Sequence, residues 1–184
     1  MTTNERKLPV AILVPGNFND HAVARIDRTF ERVTVARADP SLLTDEMRKS
    51  VRGIASFGGI SAAFMDALPK LEIIANFGVG YDSVDARHAG AHDIMVTNTP
   101  DVLTEEVADT TIGLLINTVR ELYGAEKYLR DGTWVKKGNY PLSRLTLRGR
   151  KVGIFGMGRI GLAVAHRLEA FGLSIAYHNL RKVD

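Results

Sequence analysis

The chain has 184 residues, of which 45% are hydrophobic and 24% charged, and it contains no cysteine. This is the composition of a globular protein, too apolar for intrinsic disorder, and it excludes disulfide scaffolds, thiolate zinc sites and cysteine nucleophiles. The formal net charge is +3, and an acid-free stretch over residues 132–168 sets few aromatics among its bases, Trp134 and Tyr140 the nearest to them, which reads as a solvated basic face rather than a nucleic-acid surface.

Residues 1–7 (MTTNERK) lead toward a strand without the hydrophobic region and cleavage site of a signal peptide. No apolar run approaches the ~18–20 residues that cross a bilayer, so a cytoplasmic setting is expected. The first hundred residues then alternate strand and helix. Residues 9–14 (PVAILV) form a continuous apolar run of strand length, 16–20 (GNFND) are turn chemistry, and a helix follows over 21–30. A second strand is predicted at 32–36, a helix at 42–51, a third strand at 53–57 and a helix at 61–68. The fourth strand spans 71–77, a short helix 84–92 and the fifth strand 94–97. Five β–α units joined by short loops predict a parallel sheet covered on both faces, closed most simply as a doubly wound, flavodoxin-like α/β fold.

After residues 98–101 (NTPD) the rhythm changes to one long helix over 103–130, with Thr104 as N-cap and Glu105 and Glu106 at the positive end of the helix dipole. Ala108, Ile112, Leu115, Val119 and Leu122 recur at intervals of four and three and give it an apolar face. Residues 131–150 are expected to be mostly irregular. A second strand–helix–strand unit follows, with strands at 151–155 and 174–177 and a helix over 162–171. The expected organisation is a substrate lobe over 1–100, a hinge helix and arm over 101–150, and the first βαβ of a dinucleotide-binding lobe over 151–184.

Residues 156–161 (GMGRIG) place a G-x-G-x-x-G pattern between a strand and a helix, the setting in which it binds dinucleotides. Gly156 suits the tight turn, Gly158 lets a pyrophosphate approach the backbone, and Gly161 lets the helix pack close to the strand. The competing reading is a glycine-rich turn that only packs a helix on a sheet. An NAD-selective site places an acid ~20 residues on, at the end of the second strand. Here residues 177–182 read YHNLRK, with no acid before Asp184. Arg181 and Lys182 can pair with a 2′-phosphate or form a solvated basic loop. NADP(H) is therefore expected over NAD(H).

Residues 76–85 (NFGVGYDSVD) follow the fourth strand, where open α/β sheets bind ligands. Gly78 and Gly80 can expose successive main-chain N–H groups as a nest for a carboxylate. The backbone of Val79 and Gly80 is the candidate there, while Asp82 and Ser83 read as a turn and Asp85 as a helix start. His88 and His92 stand i, i+4 on a short helix, a spacing that can bind metal. With no acidic or thiol companion evident, no metal site is expected, and His21, His166 and His178 read as ordinary surface or packing residues.

Four motifs follow one another along nearly the whole chain: residues 76–85, 96–109 (VTNTPDVLTEEVAD), 130–134 (RDGTW) and 156–161. Together they resemble the D-2-hydroxyacid dehydrogenases, in the branch of NADP-preferring glyoxylate, hydroxypyruvate and hydroxyphenylpyruvate reductases. The resemblance implies that the Val79–Gly80 backbone binds a 2-oxoacid carboxylate. It also implies that Met157, Gly158, Arg159 and Ile160 lie along the pyrophosphate and that Thr104 lies near the nicotinamide end. Asn179, Leu180 and Arg181 match the loop that holds the adenosine phosphate, although relatives often have Arg where this chain has Leu180. The family's catalytic Arg, Glu and His belong to the later part of the cofactor lobe, which places them beyond Asp184, and they have no counterpart here. The resemblance thus implies the N-terminal portion, roughly 60%, of an NADPH-dependent reductase of small 2-oxoacids, inactive by itself, since a dinucleotide lobe needs more than one βαβ unit. Relatives are homodimers joined through the cofactor lobes, with the arm around Trp134 crossing the two-fold axis. The alternatives are a non-catalytic dinucleotide-binding sensor of the corepressor kind and a natural truncation acting as an assembly partner.

Overall fold

The computed structural model describes residues 7–183, which divide into two compact units meeting in sequence at Pro100 and Asp101. Residues 1–6, expected to lead into the first strand, and Asp184, the last residue of the expected dinucleotide-binding segment, lie outside the described residues. The first unit runs β1 (Ala11–Pro15), α1 (Asp20–Thr29), β2 (Glu31–Val35), a 3-10 turn (Pro40–Leu42), α2 (Asp45–Ser50), β3 (Val51–Ser56), α3 (Ala62–Asp66), β4 (Ile73–Asn76), α4 (Ala86–Ala91) and β5 (Met95–Thr97). All its strands are parallel, in the order β2-β1-β3-β4-β5. This is the doubly wound, flavodoxin-like order expected from the alternation of elements.

Register explains which side chains form the core. Leu13, Ile54, Ile74 and Val96 align across four strands, and they pack with Phe64, Met65, Leu68, Val84, Ala89 and Ile94. The adjacent row, Ile12, Gly53, Ile73 and Met95, points to the other face because side chains alternate along a strand. That face is covered only in part. α1 flanks an apolar groove of about 390 Å³ lined by Ile12, Ile26, Gly53, Ile73 and Ala75, and no helix of this unit follows β5. The expected cover on both faces is present but incomplete on this one.

Polar side chains start the helices of this unit. Asn19, Thr44, Ser61 and Asp85 accept hydrogen bonds from the main-chain N–H groups of Ala22, Met47, Phe64 and His88, respectively. Each such cap contributes about 1 kcal/mol. Thr44 also corrects the helix expected over 42–51. Leu43 is drawn into the core, the cap at Thr44 delays α2 to Asp45, and Val51 joins the sheet beside Ala11.

The second unit contains α5 (Thr104–Arg120), α6 (Leu122–Arg130), α7 (Thr133–Lys137), β6 (Lys151–Phe155), α8 (Arg159–Glu169) and β7 (Ser174–His178), with β6 and β7 parallel. The single long helix expected over 103–130 is broken at Glu121, which adopts φ 54°, ψ 37° in the left-handed region. The side chain of Asn117 accepts from the Tyr123 N–H at 2.9 Å and satisfies the restarted helix. Upstream, Thr111 and Thr118 donate their hydroxyls to the carbonyls of Val107 and Leu114, a pattern that bends helices. α7 is a helical turn inside the segment expected to be irregular.

Ala108, Ile112 and Leu115 of α5 pack on Ala163, Val164 and Leu168 of α8, with Val152, Ile154, Leu173 and Ile175 completing the core. Leu122, the last member of the expected apolar face, lies beyond the break and is exposed. Arg167 of α8 bridges to Glu105 at 2.7 Å and to Asp109 at 2.6 Å, i, i+4 on α5, and the hydrogen bond to Glu105 is the largest cause of its raised pKa. No helix among the described residues is long and apolar enough to cross a membrane.

Asp39 gives the fold a signature at acid pH. Its carboxylate accepts from the Ser41 hydroxyl at 2.7 Å, from the Ser41 N–H at 3.0 Å and from Arg37 at 2.6 Å, and these bonds lower its pKa from 3.8 to about 2. Because the folded-state pKa is the lower one, the stabilisation is present above the unfolded value and is lost as pH falls through the folded one. Urea-unfolding midpoints should therefore fall more steeply in the wild type than in Asp39→Asn as pH drops from about 4 toward 2; parallel profiles would show that these bonds do not act on stability.

Candidate functional site

At the carboxyl end of β4 the chain turns through Gly78, Val79 and Gly80, and three polar groups take up the carbonyls of that turn. Asn76, 5% exposed, donates its side-chain amide to the Gly80 carbonyl at 2.9 Å and to that of Gly78 at 3.4 Å. Asn98, just past β5, donates to the Val79 carbonyl at 2.8 Å. The Thr99 N–H donates to the Gly78 carbonyl at 2.9 Å.

With their carbonyls tied down, the N–H groups of Val79 and Gly80 have no acceptor among the described residues. Unpaired successive N–H groups make an anion-binding concavity. The far side of the loop is anchored by the Ile60 N–H donating to the Ser83 carbonyl at 3.1 Å and the Asp85 N–H donating to that of Ile60 at 3.0 Å. The Val84 N–H donates to the Tyr81 carbonyl at 2.9 Å, which closes a turn over Asp82 and Ser83, and Asp85 caps α4, as expected.

Neighbouring strand ends add an aromatic rim and one orphaned hydroxyl. Phe77 packs edge-on against Phe18 at 5.5 Å and against Phe57 at 6.3 Å. The Ser56 hydroxyl, at the end of β3, is buried without a hydrogen-bond partner among the described residues.

The second unit holds the other expected site. Gly156 adopts φ +98°, which a side chain would strain, and at Gly161 an added Cβ would overlap the Gly156 carbonyl oxygen. Both glycines are therefore required by the turn. At Gly158 an added Cβ would meet nothing within 4 Å, so its backbone lies open to an approaching ligand. Gly158 is also the N-cap of α8 and makes no side-chain capping bond. The first N–H groups of that helix are consequently available to an anion.

The remaining expected residues have more specific placements. Met157 is buried. Arg159 pairs with Asp101 at 2.9 Å, and Ile160 is partly exposed. Thr104 is the first residue of α5 rather than its cap. Leu103 holds the cap position without a side-chain bond, which corrects the expected N-cap. After β7, Asn179 donates its amide to the Arg181 carbonyl at 3.1 Å, while the Tyr177 hydroxyl donates to the Val183 carbonyl at 3.1 Å. These bonds fold the segment into a short loop. Leu180 is wholly exposed, and Arg181 and Lys182 are exposed and in no ion pair among the described residues. Asp184, the first acid in sequence after β7, lies outside the described residues.

The supposition that His88 and His92 have no acidic companion is corrected. Asp66, at the end of α3, lies with its Oδ1 at 2.7 Å from His88 Nε2. His166 lies 3.6 Å from Glu169, and His178 stacks on Phe155.

Sequence reasoning found the glycines of both turns and missed Asn76 and Asn98. An asparagine at each of two strand ends, beside a glycine-rich loop, is the signal that could have found them, because the Asn amide readily bonds turn backbone.

A sequence model of the family described as D-isomer specific 2-hydroxyacid dehydrogenase, catalytic domain, matches residues 12–178. The chain is 46% identical to a hydroxyphenylpyruvate reductase of Plectranthus scutellarioides, over 73% of this chain and 43% of that protein. It is 42% identical to a glyoxylate/hydroxypyruvate reductase A of Arabidopsis thaliana, over 77% and 45%. Among solved structures, the NADPH-dependent glyoxylate/hydroxypyruvate reductase of Sinorhizobium meliloti, in complex with NADP and malonate, matches with a TM-score of 0.91 and 58% identity, over 96% of this chain and 55% of that one. The chain thus spans about half the length of the relatives it matches. The two glycine turns, the strand order and these matches agree, and the chain belongs to the D-isomer specific 2-hydroxyacid dehydrogenases.

Proposed function

We propose that the full-length protein reduces small 2-oxoacids, such as glyoxylate or hydroxypyruvate, to D-2-hydroxyacids with NADPH. The observation that carries this reading is the pair of N–H groups at Val79 and Gly80 that have no acceptor among the described residues, in a loop whose carbonyls are bound by Asn76, Asn98 and Thr99. Two successive unpaired N–H donors suit a carboxylate, and charge-assisted bonds of this kind are roughly twice as strong as neutral ones. The substrate lobe is residues 1–100, the helices and arm over 101–150 lead out of it, and residues 151–184 open the dinucleotide-binding lobe.

For the cofactor, the open face of Gly158 and the uncapped start of α8 fit a pyrophosphate. Gly156, Met157, Gly158, Arg159, Ile160 and Gly161 line that site in this reading, and Thr104 lies toward the nicotinamide end. Asn179, Leu180, Arg181 and Lys182 form the loop for the adenosine phosphate. With no acid among the described residues at the end of β7 to hold ribose hydroxyls, NADP(H) is preferred and NAD(H) is the lesser partner. Bound NADPH supplies the hydride. This chain's residues bind and orient the ligands, and none of them is assigned to proton transfer; in this reading the groups for that step follow Asp184 in the full-length protein. The small-molecule partner is the 2-oxoacid. The macromolecular partner is a second copy, through an arm on which Trp134, Val135 and Leu142 are exposed.

The full-length protein should oxidise NADPH when given glyoxylate or hydroxypyruvate. Replacing Arg181 and Lys182 together by Ala should raise the KM for NADPH by roughly tenfold or more and leave that for NADH nearly unchanged, since one charge-assisted bond is worth ~1.5–3 kcal/mol. No NADPH oxidation with any 2-oxoacid would overturn the enzymatic reading, and equal kcat/KM with the two cofactors would overturn the NADP preference. Trp134→Ala should weaken the homodimer, because buried Trp residues commonly anchor interfaces by ~2 kcal/mol or more; unchanged sedimentation at low concentration would contradict that role.

A further inference from the structure

Away from both turns, three side chains with metal-binding chemistry converge on the surface of the first unit. His88 and His92 stand one helical turn apart at the end of α4, and Asp66 ends α3. One ligand atom from each lies within 4.8 Å of the others. We propose that Asp66, His88 and His92 form a binding site for a borderline divalent cation of the Zn²⁺ class.

The preparation of the two imidazoles supports this. His92 Nδ1 lies 2.9 Å from the main-chain carbonyl of His88. A carbonyl only accepts, so Nδ1 carries the proton and the neutral ring presents Nε2 as a lone pair. A backbone carbonyl that fixes the tautomer in this way is the usual support for a metal-ligating histidine. The rings of His88 and His92 are stacked at 4.1 Å with an interplanar angle of 26°. They are therefore held side by side rather than spread into solvent.

Asp66 completes the set from a different helix. Its Oδ1 lies 2.7 Å from His88 Nε2, and the side chain of His88 is only 21% exposed. Without metal, the His88 Nε2–H donates to the carboxylate. A bound cation takes the place of that proton as the neutral His88 ring shifts its hydrogen, exchanged through solvent, from Nε2 to Nδ1, and Nε2, Nε2 and a carboxylate oxygen then face one ion. Two nitrogens and one oxygen, with water in the fourth position, is a coordination set that Zn²⁺ accepts. Ligand atoms at ~2.1 Å from a tetrahedral ion stand ~3.4 Å apart, so small side-chain rotations have to open the 2.7 Å Asp66–His88 pair and adjust the others, which lie within 4.8 Å. Asp66 and His92 are exposed and His88 is half-buried. An occupied site ties α3 to α4, the helix that Asp85 caps directly after the carboxylate-binding loop.

The test is equilibrium dialysis of the tag-free protein against Zn²⁺ at neutral pH, with metal counted per chain and melting temperature followed in parallel. One equivalent should bind saturably and raise the melting temperature. His92→Gln and Asp66→Asn, both at exposed positions, should each weaken binding about tenfold or more and remove the thermal shift, whereas His21→Gln and His166→Gln should leave both unchanged. Absence of saturable binding would overturn the proposal, as would binding that survives the first pair of substitutions or follows the second.

Discussion

The carbonyl groups of Gly78, Val79 and Gly80 decide what the carboxyl end of the first sheet can do. A loop leaving a parallel strand carries main-chain donors and acceptors that the sheet no longer pairs, and water or the protein must satisfy them. Here the acceptors are taken by the amides of Asn76 and Asn98 and by the Thr99 N–H. The donors at positions 79 and 80 are what remains. Asn76 is buried, so its two bonds are made away from competing water, and a buried amide left unpaired would cost ~1–3 kcal/mol. The loop is thereby fixed in one arrangement before any ligand arrives, which lowers the ordering cost of binding.

The second unit solves a related problem with glycine and a helix. Gly156 accepts a backbone conformation closed to other residues, Gly161 lets α8 come against the Gly156 carbonyl, and Gly158 leaves one side open. The helix stays in place through its apolar contact with α5 and through Arg167, whose guanidinium reaches two carboxylates on that helix. In both units, then, the groups offered to a ligand are main-chain N–H groups. Side chains buried or paired nearby determine where those groups point.

Much of this was legible from residue order because it depends on local rules. The apolar runs, the five-strand alternation and both glycine turns follow from period, length and turn chemistry, and the strand order follows from short right-handed crossovers. The rest needed groups that meet only in three dimensions. The break at Glu121 interrupts a stretch whose apolar spacing is good on both sides, and it depends on an Asn117 side chain that serves the restarted helix. Asp66 lies 22 positions before His88, so no local pattern could pair them. Asn98 likewise reaches Val79 across 19 positions. The apolar face of α5 was visible as a face, but its partner α8 lies some fifty residues downstream, past an arm without regular periodicity.

Steady-state kinetics of an Asn76→Ala variant of the full-length protein test the proposed role of Asn76 in keeping the loop over residues 78–80 open to a substrate carboxylate. The KM for glyoxylate should rise about tenfold or more, from the loss of one or two loop-setting bonds at ~1–1.5 kcal/mol each, with the KM for NADPH unchanged. An unaltered KM for glyoxylate in a folded variant would contradict it.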